Sequence, residues 1–214
     1  MKTRYFLIAF VTFITVGMLA SVGLVWGFSD DFSDGDEEGW TVVMNPGEWK
    51  VDAEEYFHDA MGGPAFSVTG EAGWTDYTVT CRAMGVSPDA DWGLILRQQD
   101  ADNYYIWIFV NDLLAFRECV AGSRTHLWTE PFATVLDEWQ EFKVVATGDT
   151  FDCYFDGELK TTVTNDRFKS GPVGVFAWDQ ARFDDFEVIG PGIPHGVEKD
   201  GKLAFTWGMI KAAL

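Results

Sequence analysis

Residues 92–120 read WGLILRQQDADNYYIWIFVNDLLAFRECV. Three apolar runs, 92–98, 104–110 and 113–120, are separated by the polar pairs Asp102-Asn103 and Asn111-Asp112. Each run is short and keeps a two-residue period, which marks strands joined by tight turns. In 92–98, Leu94 and Leu96 share one face and Ile95 and Arg97 the other. In 104–110, Ile106, Ile108 and Val110 alternate with Tyr105, Trp107 and Phe109. In 113–120, Leu114 and Phe116 oppose Arg117. Successive side chains of a strand point to opposite faces, so each run has two faces to assign.

The same rhythm continues outward. Candidate strands 40–44, 48–52, 65–69 and 76–84 precede this stretch. Candidates 125–129, 139–147, 150–155, 158–163, 172–178 and 182–189 follow it. Asn45-Pro46-Gly47, Gly148-Asp149, Asp156-Gly157 and Gly171-Pro172 supply turn chemistry, and Asp156-Gly157 is a strong hairpin signal. No part of the body carries a helical period. Many short strands without helices predict an all-β fold: a two-sheet antiparallel β-sandwich of the jelly-roll type.

Composition narrows the function. The chain has 214 residues, with 34 acidic against 15 basic side chains and a formal net charge of -19. A nucleic-acid binder needs the opposite balance, to displace counterions from phosphate. An anionic membrane surface repels such a chain. Aromatics make up 16% of residues, which argues against disorder. Acidic, aromatic-rich globular proteins suit cations, neutral polar ligands such as glycans, or other proteins as partners.

The ends of the chain read differently from its body. Lys2 and Arg4 precede an uncharged apolar run from Tyr5 to Phe28. Such a run fits a secretory signal, although it exceeds the usual apolar region of about 7–15 residues. It also fits a membrane anchor, which takes about 20. Either reading places the body outside the cytoplasm, secreted or at the cell surface, with any membrane contact made through this segment. The expected organisation is a signal or anchor over 1–27, one domain over 28–190, and a linker and tail over 191–214. The tail is too short to span a bilayer and could form a short amphipathic helix docking on the body or on a partner. Cys81, Cys119 and Cys153 are odd in number, which allows one disulfide with a free thiol or no disulfide, and their favoured reading is as small buried hydrophobes.

Taking the aliphatic side of 104–110 as core leaves Arg97, Tyr105, Trp107 and Arg117 on an opposite patch, with Trp92 and Trp128 at its flanks. Aromatic rings there can stack on sugar rings, and Arg offers a planar fork of donors to hydroxyls or carboxylates. These six residues are the candidate ligand contacts. Bulk on both faces is also what an overlying loop would produce.

The order of phrases along the chain carries a resemblance. Asp30-Asp-Phe-Ser-Asp-Gly leads to Gly39-Trp, then Trp74-Thr-Asp-Tyr-Thr-Val, Gly93-Leu-Ile-Leu-Arg and Asp102-Asn-Tyr-Tyr. Trp139-Gln-Glu-Phe-Lys-Val, Phe155-Asp-Gly, Gly171-Pro-Val-Gly-Val-Phe and Phe183-Asp-Asp-Phe-Glu-Val complete it. Over roughly 29–189 the series resembles the concanavalin A-like lectin/glucanase superfamily, in its laminin-G-like and glycan-binding branches. It is also similar to the thrombospondin C-terminal domain. The resemblance implies lectins, glycosidases, adhesion modules or structural modules, and fold does not choose among them.

Catalytic signatures are missing. The Glu-x-Asp-x-x-Glu strand of the hydrolytic branch does not occur, and a glycosidase needs two carboxyls across one bond. Ala90-Asp91-Trp92-Gly93 stands where keto-sugar hydrolases that resemble this chain carry Asn-Ser-Gly. His58, His126 and His195 are scattered, which disfavours zinc. In modules resembling this one the first and last strands are adjacent. The resemblance therefore implies a structural calcium ion at Asp30, Asp31, Asp184 and Asp185, since calcium takes several oxygen ligands. The expected function is a non-catalytic extracytoplasmic carbohydrate-binding or adhesion module, its partner a glycan or a cell-surface protein. The alternatives are a glycoside hydrolase and a structural surface protein attached through its tail.

Overall fold

The structure, a computed structural model, describes residues 27–44, 47–133 and 135–194. The expected signal or anchor up to residue 26, and the tail from 195 onward, lie outside the described residues. Among the described residues fifteen strands follow one another: β1 (Gly27–Asp30), β2 (Thr41–Met44), β3 (Trp49–Asp52), β4 (Glu55–His58), β5 (Pro64–Thr69), β6 (Tyr77–Gly85), β7 (Asp91–Asp100), β8 (Asn103–Val110), β9 (Leu113–Val120), β10 (Ser123–Pro131), β11 (Gln140–Thr147), β12 (Thr150–Phe155), β13 (Glu158–Thr164), β14 (Val173–Trp178) and β15 (Ala181–Ile189). They form two antiparallel sheets, as the alternating runs predict. One has eight strands in the order β13-β12-β11-β6-β15-β4-β3, with β1 also on β15. The other has seven, in the order β10-β9-β8-β7-β14-β5-β2.

Two strands were not legible in the sequence. β1 continues the apolar leader and pairs with β15, Gly27 opposite Ile189. β4 follows β3 through Ala53 and Glu54, which carry φ of 58° and 64°. Two consecutive left-handed residues make the mirror-image turn that suits a hairpin, but it usually announces itself with Asn or Gly. Asp156-Gly157 does so, at φ of 47° and 77°, and joins β12 to β13 as expected.

The main core lies between the sheets. Val79, Cys81, Phe142, Val144, Phe183 and Val188 from the eight-stranded sheet meet Trp92, Leu94, Tyr105, Trp107, Phe116 and Val175 from the other. Leu94, Leu96, Leu114 and Phe116 face inward as the pattern implies, but β8 turns over. Its Tyr105, Trp107 and Phe109 fill the inter-sheet space, while Ile106, Ile108 and Val110 lie on the outer face. Both faces of β8 are apolar, so its pattern cannot choose. Size can: an aromatic side chain buries about 150–250 Å², roughly 4–6 kcal/mol at 25 cal/mol per Å². The gap between packed sheets is about 10 Å, which rings fill better than Ile and Val. The ring polar atoms are satisfied there. Trp107 Nε1 donates to the Tyr154 carbonyl at 3.0 Å, and the Tyr105 hydroxyl donates to Asn165 Oδ1 at 2.7 Å. All three cysteines are free and buried, Cys81 and Cys153 in the main core and Cys119 on the outer face.

Candidate functional site on the outer face of the seven-stranded sheet

Strand register builds this face row by row. Val68, Gly174, Ile95, Ile106 and Arg117 are successive partners across β5, β14, β7, β8 and β9, and His126 of β10 extends the row. Next to it run Phe66, Phe176, Gly93, Ile108 and Ala115. A third row pairs Pro64, Trp178 and Asp91. The face therefore has an apolar floor with charged residues let into it.

Side chains reach across the floor. The Tyr104 and Phe66 rings are 5.1 Å apart, and the Arg124 guanidinium lies 5.6 Å from the centre of the Phe176 ring. Those pairs sit three and four strands apart, at about 4.8 Å per strand, so this face is on the inside of the sheet's curl. Arg124 Nε donates to the Tyr104 hydroxyl at 3.0 Å. Arg117 Nη2 lies 2.8 Å from His126 Nε2, so the guanidinium donates and the imidazole accepts. Arg117 Nε is buried and has no hydrogen-bond partner.

Burial sets the electrostatics. It pushes the Asp91 carboxyl up to about 6, against the attraction of Arg117. It pushes the Arg117 guanidinium down, and it pushes His126 down too, helped by the nearby Arg117 charge. A half-buried carboxyl and a guanidinium with a spare donor suit a ligand that both donates and accepts, such as adjacent hydroxyls. Trp178, paired with Asp91 and 36% exposed, offers an aromatic surface beside that carboxyl.

The comparisons agree with this architecture. No family model matches the chain, and no curated protein matches it. Among solved structures it is similar to the carbohydrate binding module CBM66 from Bacillus subtilis, at 23% identity and a TM-score of 0.64, covering 73% of this chain and 98% of that one. The chain shares that module's two-sheet β-sandwich fold. Two further structures share it. A putative glycosyl hydrolase from Parabacteroides distasonis matches at 12% identity and TM-score 0.56, covering 74% of this chain and 91% of that one. The xylan beta-1,4-xylosidase from Bacillus halodurans matches at 15% identity and TM-score 0.59, covering 76% of this chain but 39% of its own.

Within this β-sandwich, the six residues expected to share a ligand face do not do so. Trp92, Arg97, Tyr105 and Trp107 are fully buried between the sheets. Trp128 is half-buried against Trp107, with ring centres 5.8 Å apart. Arg117 alone lies on the outer face, because it pairs with Ile106 rather than with Trp107. Arg97 is turned inward by a register shift after Leu96 and a left-handed φ of 48°, which breaks the alternation of β7. It was Asp91, Arg124, His126 and Trp178 that sequence reasoning missed. The signal that could have found them is the β8–β9 pairing, which puts Arg117 beside Ile106.

The expected calcium ligands do not form one site. Asp30 Oδ1 accepts from the Phe32 N–H at 2.9 Å and Oδ2 from Trp40 Nε1 at 2.8 Å. Asp31 is engaged by Ser33. Asp184 and Asp185 pair instead with Arg82, at 3.6 and 3.1 Å. Among the described residues no group of three or more His, Cys, Asp or Glu is placed to hold a metal ion. Local turns and Arg82 satisfy these carboxylates separately, so the strand adjacency that the resemblance implies does not bring them to a common point.

Proposed function

We propose that the protein is a non-catalytic carbohydrate-binding module acting outside the cytoplasm, with its glycan on the outer face of the seven-stranded sheet. The observation that carries this reading is Arg117. Its Nε is buried without a partner, on an apolar face and within electrostatic reach of the half-buried Asp91. An unfilled donor of this kind costs free energy until a ligand fills it. Trp178 at the rim adds a stacking surface for the apolar side of a sugar ring. The fold shared with a carbohydrate binding module supports the same reading. The basic-then-apolar leader supports an extracytoplasmic place.

A glycosidase reading would draw on the Asp91 carboxyl, whose pKa of about 6 suits a general acid. The second carboxyl that acts on it is already engaged. Asp179, which also raises Asp91, is 5% exposed and takes the Gly62 N–H. Glycan-array screening followed by calorimetry tests the binding reading. Arg117→Ala and Trp178→Ala should each weaken binding at least tenfold while the fold is kept. Release of reducing sugar by the wild type, lost in Asp91→Asn, would favour the hydrolase instead.

A further inference from the structure

Most basic side chains of this acidic chain are neutralised within the fold. Lys50, Arg82, Lys160, Arg167, Lys169 and Arg182 each pair with a carboxylate. Arg97 is held by three carbonyl oxygens, and Lys143 lies over the Tyr154 ring. Arg117 and Arg124 differ. Among the described residues they bond to His126 Nε2 and the Tyr104 hydroxyl, and neither pairs with a carboxylate. They are also neighbours: Arg117 is opposite His126, and Arg124 stands two residues before His126 on the same face of β10. Besides burial, the Arg124 charge pushes the Arg117 guanidinium down, so the two like charges act on each other. Asp91 is within reach of both, but burial favours its neutral form.

We propose that Arg117 and Arg124 together hold an anionic group of the bound sugar, so that the ligand is an acidic glycan whose ring carries a carboxylate or a sulfate. This rests on the reading of the outer face as the glycan site, and it narrows the ligand class. A neutral diol would fill the spare Arg117 donor but leave two adjacent positive charges unbalanced over an apolar floor. An anion removes both costs, and the planar guanidinium fork matches its oxygens. His126 adds no charge while its Nε2 accepts from Arg117. Gly93 and Ala115 in the row beside Arg117 keep the floor low. Trp178 is two residues along β14 from Phe176, over which the Arg124 guanidinium lies. That step is about 7 Å at 3.3 Å per residue, so a ring stacked on Trp178 can present its charged substituent to Arg124. The net charge of -19 does not forbid an acidic ligand. Charges elsewhere on the surface are screened beyond about 8 Å at physiological ionic strength, whereas two partly buried guanidiniums act at contact.

An array of neutral, uronate-containing and sulfated oligosaccharides, probed with the full chain, tests this. The strongest binder should be acidic, and the class it falls in names the anion. Methyl-esterifying its carboxylate, or removing its sulfate, should weaken binding about tenfold or more in calorimetry. Added sodium chloride should weaken it as well. Arg124→Gln should abolish most of the preference for acidic over neutral sugars, and Arg124→Lys should keep part of it. Melting curves of both variants confirm that they fold; should Arg124→Gln not fold, the esterified or desulfated ligand decides alone. A neutral sugar bound as tightly as its acidic counterpart, with binding still lost in Arg117→Ala and Trp178→Ala, overturns this inference and leaves the glycan reading standing. An acidic preference that survives Arg124→Gln overturns it too, because the anion then sits elsewhere. Binding to none of the three sugar classes overturns both readings.

Discussion

The Arg97 guanidinium lies over the Phe151 ring, 4.7 Å from its centre, although the two residues belong to opposite sheets. From there it donates to three carbonyl oxygens on three separate loops: Phe168 at 3.0 Å, Thr75 at 2.9 Å and Gly148 at 2.6 Å. A residue expected to meet ligand is instead the clamp that closes one end of the sandwich.

Replacing that clamp should be costly. Arg97→Met keeps the packing over Phe151 but strips donors from three carbonyls. At about 1–3 kcal/mol for each buried polar group left unpaired, the loss should be roughly 3 kcal/mol or more. Urea unfolding measures it. A loss under about 1 kcal/mol would show that water replaces the guanidinium.

Binding and stability should separate cleanly between the two faces of β8 and β9. Trp107→Ala should cost about 3–5 kcal/mol of stability, as truncation of a buried aromatic does. Arg117→Ala should barely change stability and should weaken glycan binding. Thermal melts and calorimetry on the same two variants check both halves. The reverse pattern would restore the Trp107 face as the ligand surface.

Gly93 shows how tightly the floor is built. A Cβ there would lie 2.1 Å from the Trp107 carbonyl oxygen and 2.7 Å from Ile108 Cα. Both contacts are backbone, so the sheet itself must shift, and Gly93→Ala should cost about 1–3 kcal/mol. Gly73 has open space around its Cβ direction, so Gly73→Ala should stay within about 0.5 kcal/mol. Chemical denaturation of the pair gives the comparison.

Stability should respond to pH through two groups of opposite sign. Burial lowers His58, whose Nδ1 lies 2.9 Å from the Asp179 carbonyl and whose Nε2 has no partner. A depressed His is protonated more readily in the unfolded chain, so its contribution is present above its ordinary value of about 6.5 and is lost as pH falls below it. Burial raises Asp30 and Asp91 to about 6, so the folded chain binds their protons first. Their burial costs most above that value, and stability recovers as pH falls from there towards 3.8. Melting curves for wild type, His58→Gln and Asp30→Asn between pH 8 and 4 should show it. His58→Gln should flatten the fall that begins near pH 6.5, and Asp30→Asn should remove part of the later recovery. Identical slopes in all three would refute the assignment.

Calcium should have little effect on this domain. Asp30 is occupied by Phe32 and Trp40, and Asp184 and Asp185 by Arg82. Millimolar Ca²⁺ should leave the melting temperature in place, and Asp185→Asn should change it no more with Ca²⁺ than without. A rise of several degrees that a chelator reverses would reinstate the ion.

The sequence by itself determined the class of fold. Its short alternating runs and its turn residues forecast two antiparallel sheets, and Asp156-Gly157 marked its hairpin. The β3–β4 hairpin escaped because Ala53 and Glu54 take left-handed backbone without a residue type that advertises it. The candidate face escaped for a different reason. A period of two says that Ile106 and Trp107 point apart, but not which of them meets the other sheet. Where both sides of a strand are apolar, only the tertiary structure decides, by filling the inter-sheet gap with the larger rings and pairing Arg117 with Ile106. That same choice left Asp91, Arg124, His126 and Trp178, from three other strands, on one face. No local pattern could have gathered them.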